Sequence, residues 1–210
     1  MLKDRESQPA SILRTYRREL IAGLFFITIN LIVYFDVIHC QFISLDDKSY
    51  VYDNPQVKAG LTWAGIKWAF STTFMGHWHP LTWLSLMLDQ QLFGLKPGGY
   101  HLVNLIIHII NTILLFWILR YATGAVWPSA LVGALFAIHP LHVETVAWVA
   151  DRKDLLSAMF GFSTILAYFY YAKDTSSWRR YALVLTLLLL GLMCKSILMS
   201  WPLLLLLLDF

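Results

Sequence analysis

The chain has 210 residues, of which 58% are hydrophobic, 15% aromatic and only 14% charged, with a formal net charge of +3. Soluble domains carry about 25% charged residues, so this composition excludes an ordinary soluble domain and indicates a protein that crosses the lipid bilayer several times. The basic residues are spread along the chain without a dense face, which excludes nucleic acid as a partner.

The N-terminal stretch MLKDRESQPASILRTYRREL is basic but long and mixed in charge, and the apolar run behind it continues through Val37 without a small-residue cleavage pattern. It reads as a cytoplasmic segment, residues 1–18, followed by an uncleaved membrane helix over about 19–38. Further segments approaching the ~20 apolar residues of a crossing lie at about 100–120, 125–138, 155–172 and 181–208. The last is too long for one crossing, and Lys195 and Pro202 divide it into a spanning helix and the start of another. The predicted architecture is an all-α integral membrane bundle of about five to six transmembrane helices.

Lys3, Arg5, Arg14, Arg17 and Arg18 precede the first helix, Arg120 follows the second, and Lys173, Arg179 and Arg180 follow the fourth. All fall on one side, which their clustering makes cytoplasmic; Lys48, Lys58, Lys67 and Lys96 lie on the other side but are diluted over a loop of about 60 residues, near the limit at which the bias counts. Residues 39–99, residues 139–154 and the surroundings of Lys195 then face outward, to a periplasm or lumen. Within the first outer loop, GLTWAGIKWAFST (60–72) and HPLTWLSLMLDQQLFG (79–94) are too short or too polar to span. They are predicted as helices lying in the interface, with Trp63, Trp68, Trp78 and Trp83 at headgroup depth.

The polar residues raise the chemical question. Asp46 and Asp47 form an adjacent acidic pair just outside the first helix, where a neighbouring like charge and partial burial raise a carboxyl toward the range of a general base; the plain alternative is a solvated turn. In HPLHVETVAWVADRKD, His139, His142 and Glu144 offer a partial metal pattern, but it is not HExxH and no third ligand follows, so no metal is expected. Asp151 and Asp154 have the spacing of an N-cap and its third helical position. That capping leaves Arg152 and Lys153 unexplained, two cations at the outer edge where a phosphate can be held. Lys195 interrupts an apolar run, which makes it either a functional residue or one whose stem snorkels to the interface. Asp89, His77, His79 and His101 are less informative, and His108 reads as packed against a neighbouring helix. Cys40 and Cys194 show no paired spacing and read as inert.

Three stretches in order, DDKSYVYDNPQVKAGLTWAGIKWAF, HWHPLTWLSLMLDQQLFGLKPGGYHLVN and IHPLHVETVAWVADRKDLLS, resemble the membrane half of bacterial proteins that join many transmembrane helices to tetratricopeptide repeats. These are similar to the animal transmembrane and tetratricopeptide-repeat O-mannosyltransferases and, more distantly, to the protein O-mannosyltransferases. The resemblance covers roughly residues 20–210 and implies a GT-C glycosyltransferase fold. It implies a polyprenyl-phosphate sugar donor, transfer with inversion to a protein Ser or Thr hydroxyl, and a site on the outer face of a bacterial inner membrane. Carried over, the acidic motif falls on Asp46 and Asp47, and the second outer loop on His139, Pro140, His142 and Glu144, followed by Arg152 and Asp154. Lys195 matches a lysine expected to precede proline, whereas Ser196 follows it here. No cofactor is implied, because Lys153, Arg152 or Lys195 can neutralise a single leaving phosphate. The resemblance also implies that residues 19–210 are a partial domain, with the tetratricopeptide repeats absent. Two other classes compete: a non-catalytic membrane scaffold or inactive paralogue, and a proton relay through His108, His139, His142 and Glu144.

Overall fold

A computed structural model describes residues 7–208, with side chains from Tyr16 onward. Lys3 and Arg5 of the basic N-terminal segment, and the final Asp209 and Phe210, lie outside the described residues.

The described residues form ten α-helices joined by short turns, with no strand among them: α1 (Ser7–Val33), α2 (Pro55–Lys58), α3 (Trp63–Ser71), α4 (Pro80–Phe93), α5 (Pro97–Thr123), α6 (Val126–Ala137), α7 (His142–Ala147), α8 (Arg152–Ala172), α9 (Trp178–Leu192) and α10 (Trp201–Leu207). Helix starts follow local chemistry. Asn54 caps α2 by accepting from the Gln56 and Val57 amides, and the Thr62 hydroxyl accepts from Gly65 at 3.0 Å to cap α3. Prolines at the first positions of α2, α4 and α5 need no amide partner there.

Helix α5 is the axis around which the rest packs. It contacts α1, α4, α6, α7 and α8. Its residues His101, Asn104, His108 and Asn111, at alternating three- and four-residue intervals, form one buried polar row on an otherwise apolar helix. Each of three members meets backbone that a neighbour leaves open. Asn104 donates to the carbonyls of Val146 (3.2 Å) and Trp148 (3.1 Å), Asn111 donates to Leu155 (3.0 Å), and His108 Nε2 lies 3.2 Å from the Ala137 carbonyl. The row thereby fixes the irregular segment 138–151 along α5. At the start of α5, a Cβ on Gly98 would lie 2.5 Å from the Ile38 carbonyl oxygen, so only glycine lets the chain leaving α1 approach this closely.

Two helical stretches, Pro97–Thr123 and Val149–Ala172, are long and apolar enough to cross a membrane. The other three expected crossings differ for physical reasons. Helix α1 ends at Val33, ahead of the expected boundary near 38, and Phe35–His39 continue as a separate 3-10 turn. Helix α6 has 12 residues and is about 18 Å long, short of a ~30 Å hydrocarbon core. Helix α9 ends after 15 residues, and Lys195 lies beyond it in extended backbone. Large apolar side chains nonetheless face outward along α1, α6, α9 and α10, among them Leu24, Leu131, Leu189 and Leu203.

The cations sort by end, as the sequence predicts. Arg120 pairs with Glu19 at 3.0 Å, Lys173 lies 4.4 Å from the Tyr121 ring, and Arg180 donates to the Tyr170 carbonyl. These contacts gather the C-terminal ends of α5 and α8 with the described start of α1. The opposite end carries the loop between α1 and α5, which folds into its own core of Tyr50, Val51, Val57, Ala69, Trp83, Leu86 and Met87 against Val149 and Ala150. Both predicted loop helices are present. Trp83 departs from the prediction, however: it is fully enclosed, stacked 4.8 Å from Tyr50, and not at a headgroup surface.

Candidate functional site

The site is built where the first loop meets the N-terminus of α8 and the C-terminus of α9. Asp47 makes the first connection. Its carboxylate is fully buried, accepting from the Ile43 amide at 2.9 Å through one oxygen and from the Ala150 amide at 2.8 Å through the other. Burial pushes the Asp47 carboxyl above its ordinary value, while the two amides act in the opposite direction. Asp47 is thus a tie between the loops, whereas its neighbour Asp46 is half-buried. Burial, with the nearby charges of Asp46, Asp151 and Asp154 adding to it, pushes the Tyr50 phenol up to about 12.

The four charged residues of Asp151-Arg152-Lys153-Asp154 separate into different tasks because they open α8 and point in successive directions around it. Arg152 turns inward and is completely buried. Its guanidinium donates to Asn104 Oδ1 (2.7 Å), Ser85 Oγ (3.0 Å), the Tyr100 carbonyl (2.7 Å) and the Asp89 carboxylate. Every nitrogen is engaged, so Arg152 joins α4, α5 and α8 and offers no open face to a phosphate. Burial pushes Asp89 up to about 6, with Arg152 opposing that rise.

Lys153 and Asp154 point the other way. Lys153 donates to the Ala150 carbonyl at 3.0 Å and to Asp151 at 2.8 Å, and lies 5.4 Å from the Tyr50 ring centre. Asp154 pairs with Lys195 across to the end of α9. The predicted capping by Asp151 and Asp154 is replaced by these two ion pairs: the Asp151 side chain makes no cap bond to α8. Lys195 reaches this position because α9 stops at Leu192 and the following backbone docks on α4, where Leu81 N donates to the Met193 carbonyl (3.2 Å) and Thr82 Oγ1 to the Cys194 carbonyl (3.3 Å).

Between these elements lies a cavity of about 350 Å³ lined by Gly76, His77, Trp78, His79, Lys153, Leu192, Lys195, Ser196 and Met199. Its lining combines two cations, Lys153 and Lys195, with the apolar Leu192 and Met199. His77 and His79 were not singled out by sequence reasoning; their only signal is the HWHP spacing, which in extended backbone puts both rings on one side.

His139, His142 and Glu144 do not reach this cavity. His139 and Glu144 are exposed, and His142 packs 5.4 Å from His108 and 4.4 Å from Phe136. That level is about 12 Å along α5 from Tyr100, the level of Arg152, at 1.5 Å per residue. The reason is the shortness of α6: it ends beside His108, and the chain then climbs along α5 to reach the start of α8. Burial and His139 hold the His142 imidazole below its ordinary value. Among the described residues, no three His, Cys, Asp or Glu side chains converge as a metal site.

Comparison with known proteins gives consistent relatives. The chain is similar to the protein O-mannosyl-transferase Tmtc2 of Drosophila melanogaster, 31% identical over 189 residues that cover 82% of this chain and 20% of the relative. It is similar to Drosophila Tmtc1, 37% identical over 123 residues (58% of this chain, 14% of the relative), and to human TMTC3, 29% identical over 175 residues (78% and 19%). The chain therefore spans about a fifth or less of the length of these curated relatives. No family profile matches it. No solved structure matches it either.

Proposed function

We propose that this chain is the donor-binding part of a membrane-embedded protein O-mannosyl-transferase, similar in activity to the relatives whose names carry that function. It takes a sugar, mannose by the names of those relatives, from a polyprenyl-phosphate donor and passes it to a protein Ser or Thr hydroxyl on the extracytoplasmic face. The observation that carries this reading is the cavity with Lys153 and Lys195 in its lining, tied through Asp47 and Ala150 to the loop bearing Asp46.

A polyprenyl-phosphate donor keeps its chain in lipid and its phosphosugar at the interface. The cavity suits that division: its cations lie at the N-terminal end of α8 and the C-terminal end of α9, and Leu192 and Met199 continue it onto apolar surface. Each ammonium has three donors. Lys153 spends two on Ala150 and Asp151 and Lys195 one on Asp154, so both retain capacity for phosphate oxygens among the described residues. In the transfer step the acceptor oxygen attacks the anomeric carbon as the bond from that carbon to the phosphate oxygen breaks. The acceptor proton passes to Asp46, and the leaving polyprenyl phosphate gains a negative charge that Lys153 and Lys195 stabilise. Of the acidic pair, Asp46 takes the role of base because both oxygens of Asp47 are already engaged by amides. Arg152 acts as a positioning residue, holding the start of α8 so that Lys153 lines the cavity and Asp154 pairs with Lys195. The cation-rich ends of α1, α5 and α8 face the cytoplasm in this arrangement, and the cavity faces a periplasm or lumen.

The test is sugar transfer from a polyprenyl-phosphate donor to a Ser/Thr peptide in membranes carrying the full-length protein. Asp46→Asn is expected to lower turnover about a hundredfold to ten-thousandfold, and undiminished transfer by that variant would sink the assignment of the base.

A further inference from the structure

His77 and His79, which line the cavity with the two lysines, have no role in the transfer step as described. His77 is extended (φ −132°, ψ 141°) after the turn Phe74–Gly76, and the chain bends at His79 (φ −143°, ψ 65°) into Pro80 at the start of α4. The two imidazoles lie 5.9 Å apart. His79 is held rigidly. Its ring stacks on Tyr50 at 5.7 Å with a 14° interplanar angle and packs on Trp83 at 4.9 Å. It is 1% exposed and borders the cavity, yet its Nε2 is buried without a hydrogen-bond partner among the described residues. Leaving a buried polar atom unpaired is costly, and the ring that carries it lines the cavity, so a ligand group that displaces the covering side chains to reach Nε2 is favoured.

We propose that His79, with His77 beside it, is the specificity-determining wall of the site, hydrogen-bonding hydroxyl groups of the hexose carried on the donor phosphate. This rests on the phosphosugar reading of the cavity and adds which side chains read the sugar. A phosphate held by Lys153 and Lys195 leaves the attached hexose within the same cavity, which His77 and His79 also line. A neutral imidazole suits a hydroxyl, because it can donate or accept, where a further cation would suit the phosphate. Burial, His77 and Lys153 hold His79 down to about 4, which keeps the ring neutral at physiological pH.

The test is ligand binding by the full chain in lipid nanodiscs, using polyprenyl phosphate, the corresponding polyprenyl phosphohexose and its monodeoxy analogues. Wild type is expected to bind the phosphohexose more tightly than bare polyprenyl phosphate, and to lose about fivefold to tenfold for the deoxy analogue that lacks the hydroxyl read by His79. His79→Phe keeps the ring stack; it should bind the parent phosphohexose no better than that analogue, while bare polyprenyl phosphate binds as in wild type. His77→Ala, at an exposed position, should lose discrimination at a different hydroxyl without disturbing the fold. Equal weakening of all ligands by His79→Phe, or unaltered discrimination in either variant, overturns the assignment of the histidines while leaving the lysine site standing. Failure of wild type to bind any of these ligands overturns the phosphosugar reading as well.

Discussion

Adjacent residues of like chemistry diverge here because their backbone neighbours differ. Asp47 accepts two amides and Asp46 accepts none that is seen, so one aspartate ties loops together while the other keeps its lone pairs. Lys153→Met and Lys195→Met are therefore expected to weaken donor use by about tenfold to a hundredfold each, appearing mainly in KM, since each removes a charge-assisted contact. Steady-state kinetics with varied donor concentration checks this. His79 gives a second residue-scale expectation. Its folded value, about 4, lies below the ordinary 6.5, so the unfolded chain binds a proton in that interval and the folded chain does not. The associated stability is present above pH 6.5 and is lost progressively as pH falls toward 4, amounting to as much as about 3 kcal/mol. Thermal unfolding in detergent should show a midpoint that declines across this window, and the decline should be shallower in His79→Phe.

At the scale of elements, Arg152 is the joint on which α4, α5 and α8 meet. Replacing it alone strands the Asp89 carboxylate inside the protein, so Arg152→Met should cost about 3–5 kcal/mol, as should Asp89→Leu. The paired replacement should recover the part due to the stranded charge but not the part due to Asn104 Oδ1 and the Tyr100 carbonyl, which lose the guanidinium in both. Unfolding of the three variants measures the coupling directly. A paired variant that is stable but displaces Lys153 would also separate positioning from stability, since transfer would stay low while the midpoint recovers. Gly98 marks a second joint. Gly98→Ala places a Cβ against the Ile38 backbone oxygen, which cannot rotate away, and a loss of about 1–3 kcal/mol is expected in the same assay.

At the scale of the whole molecule, the two ends differ in chemistry: one gathers Arg120, Lys173 and Arg180, the other the cavity with Lys153 and Lys195. The two free cysteines offer a direct test of which end faces out. Cys40, just beyond α1 at the cavity end, is exposed, and Cys194 is buried. A membrane-impermeant maleimide added from the extracytoplasmic side of intact cells or vesicles should label the wild-type chain at Cys40 and leave Cys40→Ser unlabelled. Labelling only after the membrane is opened would reverse the proposed orientation.

What the sequence determined by itself was the all-helical class, the long apolar helices α5 and α8, and the two loop helices α3 and α4, because periodicity and proline starts are local properties. The three short motifs resemble bacterial proteins akin to the animal O-mannosyltransferases, and it is animal proteins of that name that the comparisons found, over 82% and 78% of this chain. Which charged residues share a cavity was decided only by tertiary structure. Sequence proximity grouped Arg152 with Lys153, but one faces inward and the other faces the cavity, because successive positions on a helix point about 100° apart. Sequence proximity also set His139, His142 and Glu144 beside them, and the short α6 leaves those residues lower along α5. Lys195 and His79, distant in sequence, meet because the backbone after α9 hydrogen-bonds to the start of α4, and no local pattern encodes a contact of that length.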